Sequence, residues 1–168
     1  MPADKKLQET LIEYFGKRYL DRVELPQYLY TSLSRKLRPY QDECFRYFTT
    51  FISESYDGKP RQPHLLFHMA TGSGKTLVMA GAMLYLYEQG YRNFLFFVDS
   101  TNIVEKTRDN FLNSASNKYL FAQKIEINGK QITINGQATR TSAEEEKLIT
   151  LTFVHDDGDW SHVTTNGA

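Results

Sequence analysis

The sequence predicts an α/β fold, a parallel sheet flanked by helices, from three observations. A short apolar run, His64 to Met69, precedes a glycine-rich turn and a Leu-, Met- and Ala-rich stretch from Lys75 to Gln89, which reads as strand, loop, helix. A second run, Asn93 to Asp99, is apolar almost without alternation, as expected of a strand buried on both faces of a parallel sheet. A helical pattern follows it at once, so residues 64–112 read β-α-β-α.

The elements follow in chain order. Leu7, Leu11, Tyr14 and Phe15 share one side of an amphipathic helix over residues 5–15. Residues 16–38 are irregular, with Pro26, several tyrosines and the basic group Arg35, Lys36 and Arg38, and read as a connecting region. Pro39 suits the first turn of a second helix, on which Tyr40, Cys44, Phe48, Phe51 and Ile52 recur on one face. Asp57-Gly58-Lys59-Pro60 stops it. Gly90 caps the helix that begins at Lys75. Ser100, Thr101 or Asn102 caps the next, which runs to about Leu112. Residues 124–134 carry a hairpin signal: Asn128-Gly129 suits the tight turn that right-twisted strands need, and it sets Ile125 opposite Ile132. A last strand is expected from Leu148 to Val154.

Composition narrows the class. The chain has 168 residues, 40% hydrophobic and 14% aromatic, which suits one globular domain and excludes general disorder. Its 20 basic and 20 acidic side chains cancel, so any polyanion site must be local. The single Cys44 excludes an intrachain disulfide, and no Cys/His set has zinc-site spacing. A polar N-terminus, with no apolar stretch near the ~18–20 residues that span a bilayer, leads us to expect a cytoplasmic protein without a membrane partner.

One string carries chemistry: Met69-Ala70-Thr71-Gly72-Ser73-Gly74-Lys75-Thr76, whose last five residues are the Gly-x-Gly-Lys-Thr ending of a P-loop. At average residue usage a chance match in a chain of this length is expected below about 1%. Gly72 and Gly74 let the backbone turn and approach a ligand closely, so that N–H groups from Gly72 to Thr76 point at one phosphate. The helix N-terminus adds positive potential at the same place. Lys75 would stand by the β- and γ-phosphates, and the Thr76 hydroxyl would ligate Mg²⁺. Thr71 to Thr76 are thus the expected site for a nucleoside triphosphate with Mg²⁺, Lys75 and Thr76 being the residues nearest the reacting phosphate.

Together with Leu37-Arg38-Pro39-Tyr40-Gln41 some thirty residues upstream, this string resembles motif I and the glutamine motif of superfamily-two helicases. It is most similar to the Res motor subunit of type III restriction enzymes, and the resemblance extends over about residues 37–112. Met69 departs from the general motif, which opens on glycine, as many helicase-like motors do. The resemblance implies a RecA-like fold, with residues 1–36 as an N-terminal helical segment and 37–168 as part of a first motor domain carrying the hairpin as an insertion. It further implies ATP as ligand, with Gln41 reading adenine and Arg38 supporting the pocket. It implies DNA as partner, touched weakly by Ser100, Thr101 and Asn102, together with the rest of the motor and a methyltransferase subunit.

A working motor also needs an Asp-Glu pair after a strand, and none is recognisable; Asp99, Asp156 and Asp157 are formal substitutes for the metal-holding carboxylate. Two other readings stay open at this stage. One is a small P-loop phosphotransferase with Asp99 as metal ligand, and the other is a truncated remnant that keeps the fold without catalysis.

Overall fold

The computed structural model describes residues 5–98, 101–136 and 148–155. Helices α1 (Leu7–Phe15), α2 (Lys17–Leu20), α3 (Tyr28–Thr31), α4 (Pro39–Ser53) and α5 (Lys75–Glu88) precede the first strand, β1 (Asn93–Val98). Helix α6 (Thr101–Leu112) and strands β2 (Ile125–Ile127), β3 (Lys130–Asn135) and β4 (Leu148–His155) complete the order. The strands form one sheet in the order β1-β4-β3-β2. β4 lies parallel to both β1 and β3, with Phe94 against Leu151 and Thr133 against Leu148, while β2 and β3 are antiparallel. This is the expected α/β architecture, a mixed sheet flanked by helices.

Local chemistry explains the best-formed pieces. Asn128 and Gly129 both take positive φ, 51° and 75°, which matches the twist of the flanking strands and sets Ile125 opposite Ile132 as expected. The hairpin is more than an insertion, because its second strand enters the main sheet beside β4. At the start of α4, Pro39 occupies a first-turn position and the Arg38 N–H donates to Gln41 Oε1 at 2.9 Å, which caps the helix.

The main core joins α3, α4, α5, α6 and the sheet through buried Leu29, Phe45, Leu84, Phe111, Ile149 and Leu151. The Phe96 and Phe111 rings lie 5.0 Å apart, fastening α6 to one face of β1. A smaller cluster of Leu11, Leu20 and Phe51 seats α1 and α2 on α4, and Lys17 Nζ bridges Glu43 at 2.6 Å on the outside. No described helix is long and apolar enough to cross a membrane.

Four expectations need correction. Residues 64–70 run without strand pairing among the described residues, and Leu66 is 92% exposed. An apolar run becomes a strand only where a neighbour supplies N–H and C=O partners, and none of the described strands pairs with this run. β1 itself is covered on one face only: Phe96 is buried under α6, whereas Leu95 and Phe97 are more than half exposed. α5 packs against α4 and α3. The connecting region holds the one-turn helices α2 and α3, stabilised by tertiary burial of Leu20, Tyr28 and Leu29 and not by a periodic face. Tyr40, assigned to the core face of α4, is 42% exposed, because the first turn of that helix reaches beyond the core to the loop before α5.

Candidate nucleotide site

The loop 69–76 enters α5 through Gly74, which is the N-cap residue and takes the left-handed conformation, φ 83° and ψ 34°. Gly72 also has positive φ, 77°. An L side chain at position 74 would be strained in that backbone, and its Cβ would stand 2.5 Å from Gln41 Nε2. Both glycines are therefore required by shape. Inside the loop, the Ser73 N–H and the Ser73 hydroxyl both donate to the Ala70 carbonyl, at 3.2 and 2.6 Å, making a compact turn below the helix. The first N–H groups of α5 have no partner within the helix, as at any helix start, and they carry its positive end.

Lys75 Nζ donates to the carbonyls of Met69 at 2.9 Å and Ala70 at 3.1 Å, so the ammonium lies folded across the loop it leaves. Thr76 is half-buried at the foot of the helix, and Thr71 is exposed at the tip of the loop. Gln41 is 2% exposed, and both ends of its amide are engaged. Oε1 accepts from the Arg38 N–H, and Nε2 donates to the Ser73 carbonyl at 3.0 Å and reaches that of Gly74 at 3.5 Å. The expected pair Arg38 and Gln41 thus comes together with the expected loop across some thirty residues of sequence.

Beside the loop lies a cleft of about 340 Å³ walled by Gly72, Gly74, Thr76, Arg38 and Gln41, and also by Arg35, Lys36 and Lys118. Among the described residues, its lining holds four cationic side chains and no carboxylate. That asymmetry suits a polyanion, since each phosphate needs opposite charge once it leaves water. Lys118 escaped the sequence reading because its role depends on a distant pairing. Leu33 and Phe121 form an antiparallel bridge, Ser34 N–H donates to the Leu120 carbonyl at 2.9 Å, and Ser34 Oγ donates to that of Tyr119 at 2.6 Å. Those bonds carry Lys118 to the mouth already bordered by Arg35 and Lys36. No motif signals it; the shared pairing with residues 32–34 is the only cue. The Tyr40 hydroxyl was likewise missed, because its ring was counted as core.

A larger, apolar groove of about 540 Å³ runs on the other side, along Tyr40, Cys44, Phe48 and the segment Leu65 to Ala70. Burial there, with Glu43 close by, pushes the Cys44 thiol up to about 11. Among the described residues, the lining of this groove has no Lys or Arg, so the smaller cleft is the better match to a phosphate chain.

Other expected residues are not gathered here. Asn102 is exposed in the first turn of α6, whose first residue is Thr101, and it is not among the residues that line the cleft. Ser100, Asp99, Asp156 and Asp157 lie outside the described residues. Among the described residues no group of three His, Cys, Asp or Glu side chains stands close enough to hold a metal ion. Of the residues expected to hold Mg²⁺, Thr76 lines the cleft.

Residues 34–156 match the family model described as type III restriction enzyme, res subunit. The chain is 42% identical over 110 residues to the probable type III restriction-modification enzyme HindVIP Res subunit of Haemophilus influenzae. The match takes in 62% of this chain and 21% of that protein, so the chain spans about a fifth of the length of the curated relative it matches. No solved structure matches it.

Proposed function

The chain belongs to the type III restriction enzyme Res-subunit family, and from that premise we propose that it binds ATP with Mg²⁺ at the loop Thr71 to Thr76. In this reading residues 37–168 form the nucleotide-binding part of a helicase-like motor, and residues 1–36 form a helical segment packed against it. One observation carries the proposal: the left-handed Gly74 that opens α5 lines, with Thr76, a cleft that among the described residues holds four cations and no carboxylate.

The chain's own residues divide the work. Gly74, Lys75 and Thr76 N–H groups would hold a phosphate, and the Lys75 ammonium would exchange the Met69 and Ala70 carbonyls for phosphate oxygens. The Thr76 hydroxyl would hold Mg²⁺, which supplies charge neutralisation across the β- and γ-phosphates. Arg35, Lys36, Arg38 and Lys118 would screen the remaining charge. Gln41 would read adenine, since an amide can donate and accept together at N6 and N7. To do so it must trade its bonds to Arg38 and Ser73 for bonds to the base, which ties base recognition to the loop.

Family membership also supports DNA as the track of the complete motor, with backbone contacts from the start of α6 around Ser100, Thr101 and Asn102, and a methyltransferase subunit as partner. Hydrolysis requires a carboxylate pair to hold the metal and activate water. None is recognisable here, so we propose binding with little turnover by this chain alone.

The test is equilibrium binding of ATP and GTP with Mg²⁺ to the purified chain and to Lys75→Ala and Gln41→Ala. ATP should be preferred, its affinity should fall about 10- to 100-fold without the charged Lys75 bond, and Gln41→Ala should erase the preference. A folded chain that binds neither nucleotide would refute the proposal.

A further inference from the structure

The Ser73 carbonyl receives two side-chain donors from α4. Tyr40 Oη donates to it at 2.7 Å, and Gln41 Nε2 donates to it at 3.0 Å. The proton on Tyr40 is placed by its neighbours: Arg38 Nη1 donates to the phenol oxygen at 3.0 Å, and a carbonyl can only accept. This carbonyl belongs to the peptide group whose N–H is that of Gly74. In a trans peptide the C=O and N–H point in opposite directions. Two donors pulling the oxygen toward α4 therefore turn the Gly74 N–H the other way, away from Tyr40 and Gln41.

Gly74 lines the cationic cleft. A flip of this peptide turns ψ of Ser73 and φ of Gly74, and with glycine at position 74 it could otherwise occur at little steric cost, exchanging an N–H for a C=O facing the anion. A carbonyl there would repel phosphate, so the orientation of one peptide decides whether the loop attracts or rejects its ligand.

We propose that Tyr40 is a positioning residue for phosphate binding, its hydroxyl acting with the Gln41 amide to fix the Ser73–Gly74 peptide with its N–H toward the bound phosphate. The proposal rests on the ATP-binding reading and adds to it a role independent of the base. Gln41 alone cannot serve both ends, because its amide is also the group that would read adenine. Tyr40 then holds the peptide while Gln41 is drawn to the base. Arg38, which donates to the same hydroxyl, links the basic rim of the cleft to this brace.

The probe that separates the two roles is a phosphate chain without a base. Binding of Mg²⁺-tripolyphosphate, Mg²⁺-ATP and Mg²⁺-GTP is measured by calorimetry on the purified wild-type chain, Tyr40→Phe, and Tyr40→Phe combined with Gln41→Ala. Phe keeps the ring, and position 40 is 42% exposed, so the fold has little to lose. Tyr40→Phe should weaken ATP about three- to tenfold, the worth of one hydrogen bond, with the ATP-to-GTP ratio unchanged. The double variant should weaken tripolyphosphate about tenfold or more. Tripolyphosphate affinity equal in the wild type and Tyr40→Phe would overturn the proposal and leave the ATP-binding reading intact. A Tyr40→Phe variant that lost base preference along with affinity would show general loosening, and would also overturn it. If the wild type bound neither ATP nor tripolyphosphate, the ATP-binding reading would fall and this inference with it.

Discussion

Replacing Gly74 with alanine tests the geometry of the loop most directly. The added methyl meets two penalties that the structure makes explicit. At φ 83° and ψ 34° an L residue is in the left-handed region, which costs about 1–2 kcal/mol. The new Cβ would also lie 2.5 Å from Gln41 Nε2, well inside contact distance, so the buried amide must move. Moving it breaks the bonds from Gln41 Nε2 to the Ser73 carbonyl and from the Arg38 N–H to Gln41 Oε1. At about 0.5–1.5 kcal/mol each, these contribute about 1–3 kcal/mol. The whole effect is therefore about 2–5 kcal/mol. It divides between folding and binding according to whether the loop keeps its shape in the free protein. Urea unfolding measures the first share, and Mg²⁺-ATP titration measures the second. If stability is untouched, ATP affinity should fall at least about 30-fold, since 1.4 kcal/mol is a tenfold change. A Gly74→Ala chain with wild-type stability and wild-type ATP affinity would refute the argument that this position requires glycine.

Two further expectations concern the scaffold. Gly81 in α5 has no room for a side chain, because a Cβ there would overlap the ring of fully buried Phe45 across the α4–α5 contact. Overpacking costs about 1–3 kcal/mol and better helix propensity returns about 1 kcal/mol, so Gly81→Ala should lower stability by up to about 2 kcal/mol in urea unfolding. Phe45→Leu, which makes space, should shrink that loss in a double-mutant cycle. Cys44 should react slowly with a thiol reagent at pH 8 and quicken steadily toward pH 11, while the urea-unfolded chain is already half-maximally reactive near pH 9. The sign follows from burial, which raises the folded-state value from 9.0 to about 11. The neutral thiol is thus favoured in the fold, and that stabilising contribution is present below pH 9 and lost as pH rises to about 11. Equal reactivity of folded and unfolded chains at pH 8 would contradict it.

What the sequence determined by itself about this protein is what short stretches of chain decide locally. The string from Gly72 to Thr76 carries its own shape and chemistry, because the glycines, the helix start and the lysine are neighbours along the backbone, and it was legible along with the family. The same holds for α4 with Pro39 in its first turn, and for the register of the hairpin, which the Asn128-Gly129 turn sets without outside help. Tertiary structure decided the rest, because contacts between distant residues depend on which faces the packing brings together. Whether His64 to Met69 becomes a strand depends on a partner edge and not on its apolar composition. Lys118 reaches the cleft only because residues 32–34 bind residues 119–122. Tyr40 became a donor to Ser73 because the first turn of α4 meets the loop before α5, while Gly81 in the middle of α5 admits the Phe45 ring. Side-chain pattern records which residues prefer burial or a turn, but the free energy of a bond between Tyr40 and Ser73 exists only once the fold has brought them within reach.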